Sequence, residues 1–171
     1  MELFLKTPPT QEPVTVEEVR DTLRLSSTQE DERVRVLISA ARAHVEHVTG
    51  RALLKQKWQM TVKPPYPRSS PLIKRSERDL IIALPKPPLL GISSVKVKEK
   101  PVGFRREENK IILPTTFMDE EIRITYWAGY GETPLLLPPD LKMAVLEGIR
   151  CLYEQQPLDL PLLTPFKVCH V

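Results

Sequence analysis

The residues whose type and spacing bear on chemistry are few. His44 and His47 stand three apart, which makes them neighbours on a helix. Two histidines and a carboxylate are the beginning of a metal site, and Glu46 is close in sequence. On a helix, however, Glu46 points about 100° away from the residue next to it, and no third ligand accompanies the pair. The histidines therefore read as helix-surface or interface residues. Cys169 and His170 form a terminal pair with nothing to complete a site. Cys151 falls on an apolar helical face and reads as a small buried hydrophobe. A Cys151–Cys169 disulfide requires the C-terminal segment to fold back, and two cysteines make no disulfide framework.

Nucleophilic and phosphate chemistry finds no foothold either. The chain lacks a Gly-x-Ser-x-Gly elbow, a Walker A loop, a Gly-x-Gly-x-x-Gly turn and a His-Glu-x-x-His helix. Glu107-Glu108 and Asp119-Glu120-Glu121 read as solvated runs beside turns rather than a paired acid and base. With 18 Pro against 6 Gly, connections are stiff and few loops should admit positive φ. No catalytic, metal or cofactor-binding residue is predicted, and an enzyme is disfavoured.

Charge is uneven. The net charge is +3, but residues 63–110 carry 12 basic and 5 acidic side chains, whereas 111–171 carry 4 and 8. This asymmetry suits head-to-tail subunit contacts, a nearby polyanion or an uneven solvated surface. The basic stretch includes Arg68, Lys74, Arg75, Arg78, Lys86, Lys96, Lys98, Lys100, Arg105, Arg106 and Lys110, with only Tyr66 and Phe104 between them as aromatics. A stacking platform for single strands is missing. Any nucleic-acid contact would be to phosphate and independent of sequence.

These residues must be positioned by an ordinary globular chain, 171 residues long, 41% hydrophobic and 27% charged. No run nears the ~18 apolar residues of a membrane span, and residues 1–10 lack the pattern of a secretory signal. Residues 4–13, with Pro8, Pro9 and Pro13, read as extended. Thr15 and Glu18 form a capping box for a short helix to about Leu25. Ser27 and Glu30 offer a second box. It opens a long helix whose stripe is Val34, Leu37, Ile38, Ala41, Val45 and Val48, closed by Gly50 in the left-handed conformation.

About five strands come next: 57–62, 80–83, 92–98, 110–113 and 122–128, with 63–76 as a loop. Short strands and tight connections imply an antiparallel or mixed sheet. A last helix begins at Pro139 and presents Leu141, Ala144, Val145, Gly148, Ile149 and Leu152, with Gly148 available for close approach of the long helix. The tail from 158 is apolar and broken by prolines. Such pre-stiffened segments lose little entropy on ordering and suit docking on another subunit; packing on their own domain is the alternative. The expectation is an α+β fold: a three-helix core with one long helix, an inserted small β-sheet, and extended N- and C-terminal tails. Its parts are an arm at 1–14, helices over 15–50, a β-rich insertion at 51–132, a last helix at 138–155 and a docking tail at 156–171.

Seven segments in order give this layout a family likeness. They are Leu5-Lys6-Thr7-Pro8-Pro9 with Glu12-Pro13-Val14-Thr15-Val16-Glu17-Glu18-Val19; Leu37-Ile38-Ser39-Ala40-Ala41-Arg42-Ala43-His44-Val45-Glu46 leading to Thr49-Gly50-Arg51-Ala52-Leu53; Trp58; Leu84-Pro85-Lys86-Pro87-Pro88-Leu89 before Ile92-Ser93-Ser94-Val95; Ile124-Thr125-Tyr126-Trp127-Ala128-Gly129-Tyr130-Gly131; Pro138-Pro139-Asp140-Leu141-Lys142-Met143-Ala144-Val145; and Leu162-Leu163-Thr164-Pro165-Phe166-Lys167-Val168. Together they resemble the head–tail connector (adaptor) proteins of tailed bacteriophages and gene transfer agents.

The resemblance implies a non-enzymatic virion protein with no cofactor and no membrane partner. It implies a ring of about twelve copies in the neck, assembled in the host cytoplasm. Its partners would be the portal protein, a stopper or tail-terminator protein, and double-stranded DNA passing through the channel without sequence recognition. The portal-docking residues would be Leu162, Leu163, Thr164, Pro165, Phe166, Lys167 and Val168. Arg35, Arg42 and Glu46 on the long helix are the candidates for the ring contact. The alternative is a stand-alone, sequence-independent DNA-binding protein that uses the basic middle. A small hydrolase has no residue constellation behind it.

Overall fold

The structure, a computed structural model, describes residues 1–66 and 70–168. Arg68, Cys169 and His170, and with them the Cys151–Cys169 pairing, lie outside the described residues. The chain divides into two compact units: Pro9–Leu54 with Tyr130–Val168, and Met1–Pro8 with Lys55–Gly129.

The first unit is helical. Helix α1 spans Val16–Leu23, α2 spans Asp31–Thr49 and α3 spans Pro139–Tyr153. The Thr15 hydroxyl accepts the Glu18 N–H at 3.2 Å, and the Glu18 carboxylate accepts the Thr15 N–H at 2.9 Å, so the first capping box forms. The second does not. Ser27 accepts from the Gln29 N–H and caps a 3-10 turn at Thr28–Glu30 instead. The Glu30 carboxylate is engaged by Arg33 at 3.3 Å and by the Tyr153 hydroxyl at 3.2 Å. Gly50 ends α2 in the left-handed conformation at φ 70°. The stripe of α2 packs through Val34, Ile38, Ala41 and Val45 on Leu141, Ala144, Val145 and Ile149 of α3, with Val19 from α1. A fourth piece, the 3-10 helix Pro161–Phe166, completes this core, so three helices do not close it alone.

Gly148 faces α2, but the approach is not close enough to require glycine. A Cβ there would meet the Ala41 Cβ at 3.5 Å, an ordinary contact. Gly148→Ala removes the helix penalty of glycine, about 1 kcal/mol. We expect the variant to be more stable by up to that amount in urea titration; a loss of stability would mean that the helices pack more tightly than these distances indicate.

Glu18 links α1 to α3, because the Lys142 ammonium donates to its carboxylate at 2.6 Å. That bond first, and the Thr15 N–H second, hold the carboxyl below its ordinary pKa of 4.5. A carboxylate depressed by folding stabilises above its unfolded pKa and loses that contribution as pH falls through the folded value. Because Glu18 and Lys142 are partly solvated, the contribution is about 0.5–1 kcal/mol. Glu18→Gln should narrow the gap in stability between pH 7 and pH 3 by that much, and an unchanged gap would remove Glu18 from the acid response.

The second unit is built of antiparallel strands: β1 Glu2–Thr7, β2 Gln56–Val62, β3 Ile73–Arg75, β4 Asp79–Ala83, β5 Leu89–Val97, β6 Lys100–Pro101, β7 Arg105–Glu107, β8 Lys110–Pro114 and β9 Ile122–Ala128. They form two sheets, ordered β1-β2-β9-β5-β6 and β3-β4-β8-β7. In the first, Met60, Ile124 and Val95 lie side by side in register and are buried. Tyr126 is buried beside them, and its hydroxyl donates to the Pro85 carbonyl at 2.9 Å; burial raises its pKa. In the second sheet, Leu80, Ile82, Ile111 and Leu113 are buried.

Four expectations are corrected. The arm at 1–14 is no free arm: β1 pairs along β2, from Glu2 opposite Thr61 to Thr7 opposite Lys57, and Pro13 and Val14 are buried in the helical unit. The single sheet is two, and the loop over 63–76 contains β3. Positive φ is also not rare. Arg24, Lys86, Lys98, Glu99, Glu108 and Gln155 all adopt it, at about 1 kcal/mol or more each. Arg24 does so at the C-cap of α1, where the left-handed turn brings the Leu25 N–H back to the Arg20 carbonyl at 2.9 Å. Lys98 and Glu99 do so because the hairpin from β5 to β6 requires φ > 0 at both central positions.

Candidate functional site

The C-terminal segment returns to its own unit. Leu160 and Leu163 enter the helical core, Leu163 with 0% exposure. Two hydrogen bonds fasten the residues beyond them. Arg51 Nε donates to the Phe166 carbonyl at 2.7 Å, and the Val168 N–H donates to the Thr49 carbonyl at 2.9 Å, one of the acceptors that the end of α2 leaves unpaired. The outward-reaching tail is thereby corrected. Proline restricts the backbone angles of the segment, but burial of two leucines decides where it lies. Leu162, 52% exposed, and Thr164, Pro165 and Lys167 still face solvent; Phe166 and Val168 are half-buried.

Of the three ring-contact candidates, two are internal. Glu46, 8% exposed, accepts the Leu53 N–H at 2.9 Å and Arg42 Nη1 at 3.3 Å. Arg42 Nε also donates to Glu12 at 2.7 Å. Burial opposes the Arg42 charge, and the two carboxylates more than offset it, which leaves its pKa raised. The three side chains tie the segment before α1 and the segment after α2 to α2 itself. Their partners lie 30 and 7 residues away, and so were invisible to a helical-wheel argument. Arg35 alone is at the surface, bonded to Glu32 at 2.8 Å.

Arg35 also borders a groove of about 450 Å³ lined by Val14, Val16, Ile38 and Pro134, with Glu12 at its rim. Next to Pro134 stands Leu135, 92% exposed, in the 3-10 turn Pro134–Leu136. Sequence reasoning did not single out this surface. The available signal was the run Leu135-Leu136-Leu137 between prolines, of which only Leu137 is buried.

The basic middle is partly neutralised. Arg105 pairs with Asp79 at 2.8 Å and Lys98 with Glu120 at 2.7 Å. Arg106 donates to the carbonyls of Leu89 and Glu108, and Arg75 lies over the Tyr66 ring. The Tyr66 hydroxyl donates to the Glu120 carbonyl; burial first, then Asp119 and Glu120, push its pKa up to about 12. Phe104 is exposed just before β7, and β7 itself carries no aromatic. His44 is half-buried and His47 exposed on α2. Cys151 is buried on α3. Among the described residues, no group of three or more His, Cys, Asp or Glu is placed to hold a metal ion, and no helix is long and apolar enough to cross a membrane.

Comparison with solved structures gives this arrangement a setting. A chain in the neck of an empty gene transfer agent particle, computed with C6 symmetry, superposes with a TM-score of 0.78 at 23% identity, covering 100% of this chain and 97% of that one. The fold is that of a gene transfer agent neck chain. A chain in the neck of the native particle, computed with C12 symmetry, gives 0.76 at 22% identity, and one in the native virion gives 0.75 at 22%, with the same coverage. No family model and no curated protein matches the sequence. The likeness in fold thus extends over both units of this chain.

Proposed function

We propose that this protein is a non-enzymatic structural component of a virion neck: a head–tail adaptor that forms a ring of about twelve copies. In this reading the ring joins the portal to a stopper or tail-terminator protein, and DNA passes through its centre without being read. The observation that carries it is the full-length likeness to chains in C6- and C12-symmetric necks. A head-to-tail contact closes into a ring when its rotation divides the circle. Arg35 and the neighbouring groove, with Leu135 beside it, supply the surface proposed for that contact; Arg42 and Glu46 support it from inside.

Portal docking falls to the exposed side of the tail: Leu162, Thr164, Pro165 and Lys167. One such side chain contributes little, but a dozen acting together raise avidity by orders of magnitude. Leu163 has a structural role. The stand-alone DNA-binding reading gains less support, because Arg105 and Lys98 already face carboxylates.

Negative-stain imaging of the purified protein, alone and with its portal, tests the proposal. Rings of about twelve copies on the portal axis are expected, and particles that lack the protein yet retain complete necks would refute it. Leu162→Lys is expected to leave thermal melting within about 0.5 kcal/mol of wild type while weakening co-sedimentation with the portal by about tenfold or more. Undiminished co-sedimentation would remove the tail as the docking element.

A further inference from the structure

Among the described residues, four strands bound the two sheets, and three of them are poor templates for another chain. β6 has two residues and ends in Pro101. β3 and β7 have three each, and carry Lys74 and Arg75, and Arg105 and Arg106. Where β5 extends beyond β6, its register breaks twice. The Leu89 N–H and carbonyl there are already taken by Asn109 and Arg106. Charge, brevity and irregularity are the usual protections of a sheet edge.

β1 is different. It pairs with β2 in unbroken register from Glu2 to Leu5, and its one irregularity lies between Leu5 and Thr7. Among the described residues, no strand covers its other side. Phe4 is 52% exposed, and Leu5 and Met1 are exposed with it. An apolar edge of this kind recruits another strand.

The order of side chains says which strand. Residues 2–6 read Glu-Leu-Phe-Leu-Lys. Laid antiparallel against itself with Phe4 opposite Phe4, this segment sets Glu2 of each copy opposite Lys6 of the other and Leu3 opposite Leu5. Every cross-strand pair is then favourable: two ion pairs, two aliphatic pairs and one aromatic pair. In its own subunit, Glu2 bonds to the exposed Lys63 at 3.2 Å, which leaves its carboxylate able to accept a second cation. We propose that the free protein self-associates as a two-fold dimer through β1, a second copy adding its β1 in this register to extend the sheet. The contact is self-complementary and closes at two copies, unlike the head-to-tail contact of a ring. It concerns the free protein and does not rest on the neck reading.

A strand of five residues buries less than the ~1,200 Å² of a standard stable interface, so the dimer is a weak one, with a dissociation constant of roughly 10–100 µM. Sedimentation velocity of the full chain across that range tests it. Lys6→Glu sets carboxylate against carboxylate twice per dimer and should weaken association by about tenfold. Glu2→Lys, which sets ammonium against ammonium, should do the same. The double variant Glu2→Lys/Lys6→Glu restores the pairing, and so does mixing the two single variants. These side chains are exposed, so circular dichroism should show all variants folded. Phe4→Glu, also exposed, should abolish the dimer. A monomer at every concentration, a ring with no two-copy species, a dimer indifferent to Lys6→Glu, or failure of the double variant to recover would each overturn the proposal.

Discussion

Leu163→Ala is expected to lower the stability of the protein by about 2–5 kcal/mol. Leu163 is fully buried among α2, α3 and its own 3-10 helix, and truncation leaves a cavity that neighbouring segments fill only in part. For a chain of this length the melting temperature should fall by roughly 5–15 °C. Leu162→Ala, one residue earlier and exposed, should change it little. Deleting the chain from residue 162 onward removes Leu163 and also the bonds of Phe166 to Arg51 and Val168 to Thr49. That deletion therefore cannot separate docking from folding, whereas Leu162→Lys can. Equal effects at 162 and 163 in a thermal melt would show that the tail is not part of the core.

Glu46→Ala should cost about 3 kcal/mol. It orphans the Leu53 N–H, leaves Arg42 half-buried with Glu12 as its remaining carboxylate, and loosens the chain where α2 turns back. Glu46→Gln keeps an acceptor for Leu53 and should cost less. Arg42→Ala and Glu46→Ala share partners, so the double variant should lose less than the sum of the two. Urea titration of the four proteins measures this coupling; strict additivity would mean that the carboxylate and the guanidinium do not act as one network.

How much of this was legible depended on the distance over which each feature is decided. The capping box at Thr15, the stripe on α2, Gly50 as its stop and Pro139 at the start of α3 follow from residues three or four apart, and each stands where its spacing predicts. The buried set Ile122, Ile124 and Tyr126 follows from a period of two. Ser27 misled because its hydroxyl can satisfy a 3-10 turn as well as a helix. β6 escaped because Lys98 and Glu99 carry none of the Asn-Gly signal of such a hairpin. β3 and β7, at three residues each, are too short for any period to emerge.

The sequence by itself determined the three α-helices, the ends marked by Thr15, Gly50 and Pro139, the faces they bury and the α+β class, because torsional preference and side-chain period act within a few residues. Only the tertiary structure decided that the first strand joins β2, that the strands part into two sheets, that Glu46 answers Glu12's partner Arg42 and the Leu53 amide, and that the tail folds home. Each of those depends on which distant group supplies a hydrogen bond or removes a leucine from water. Proline content and apolarity describe a segment's stiffness and its need for burial; they carry no information about whose surface provides it.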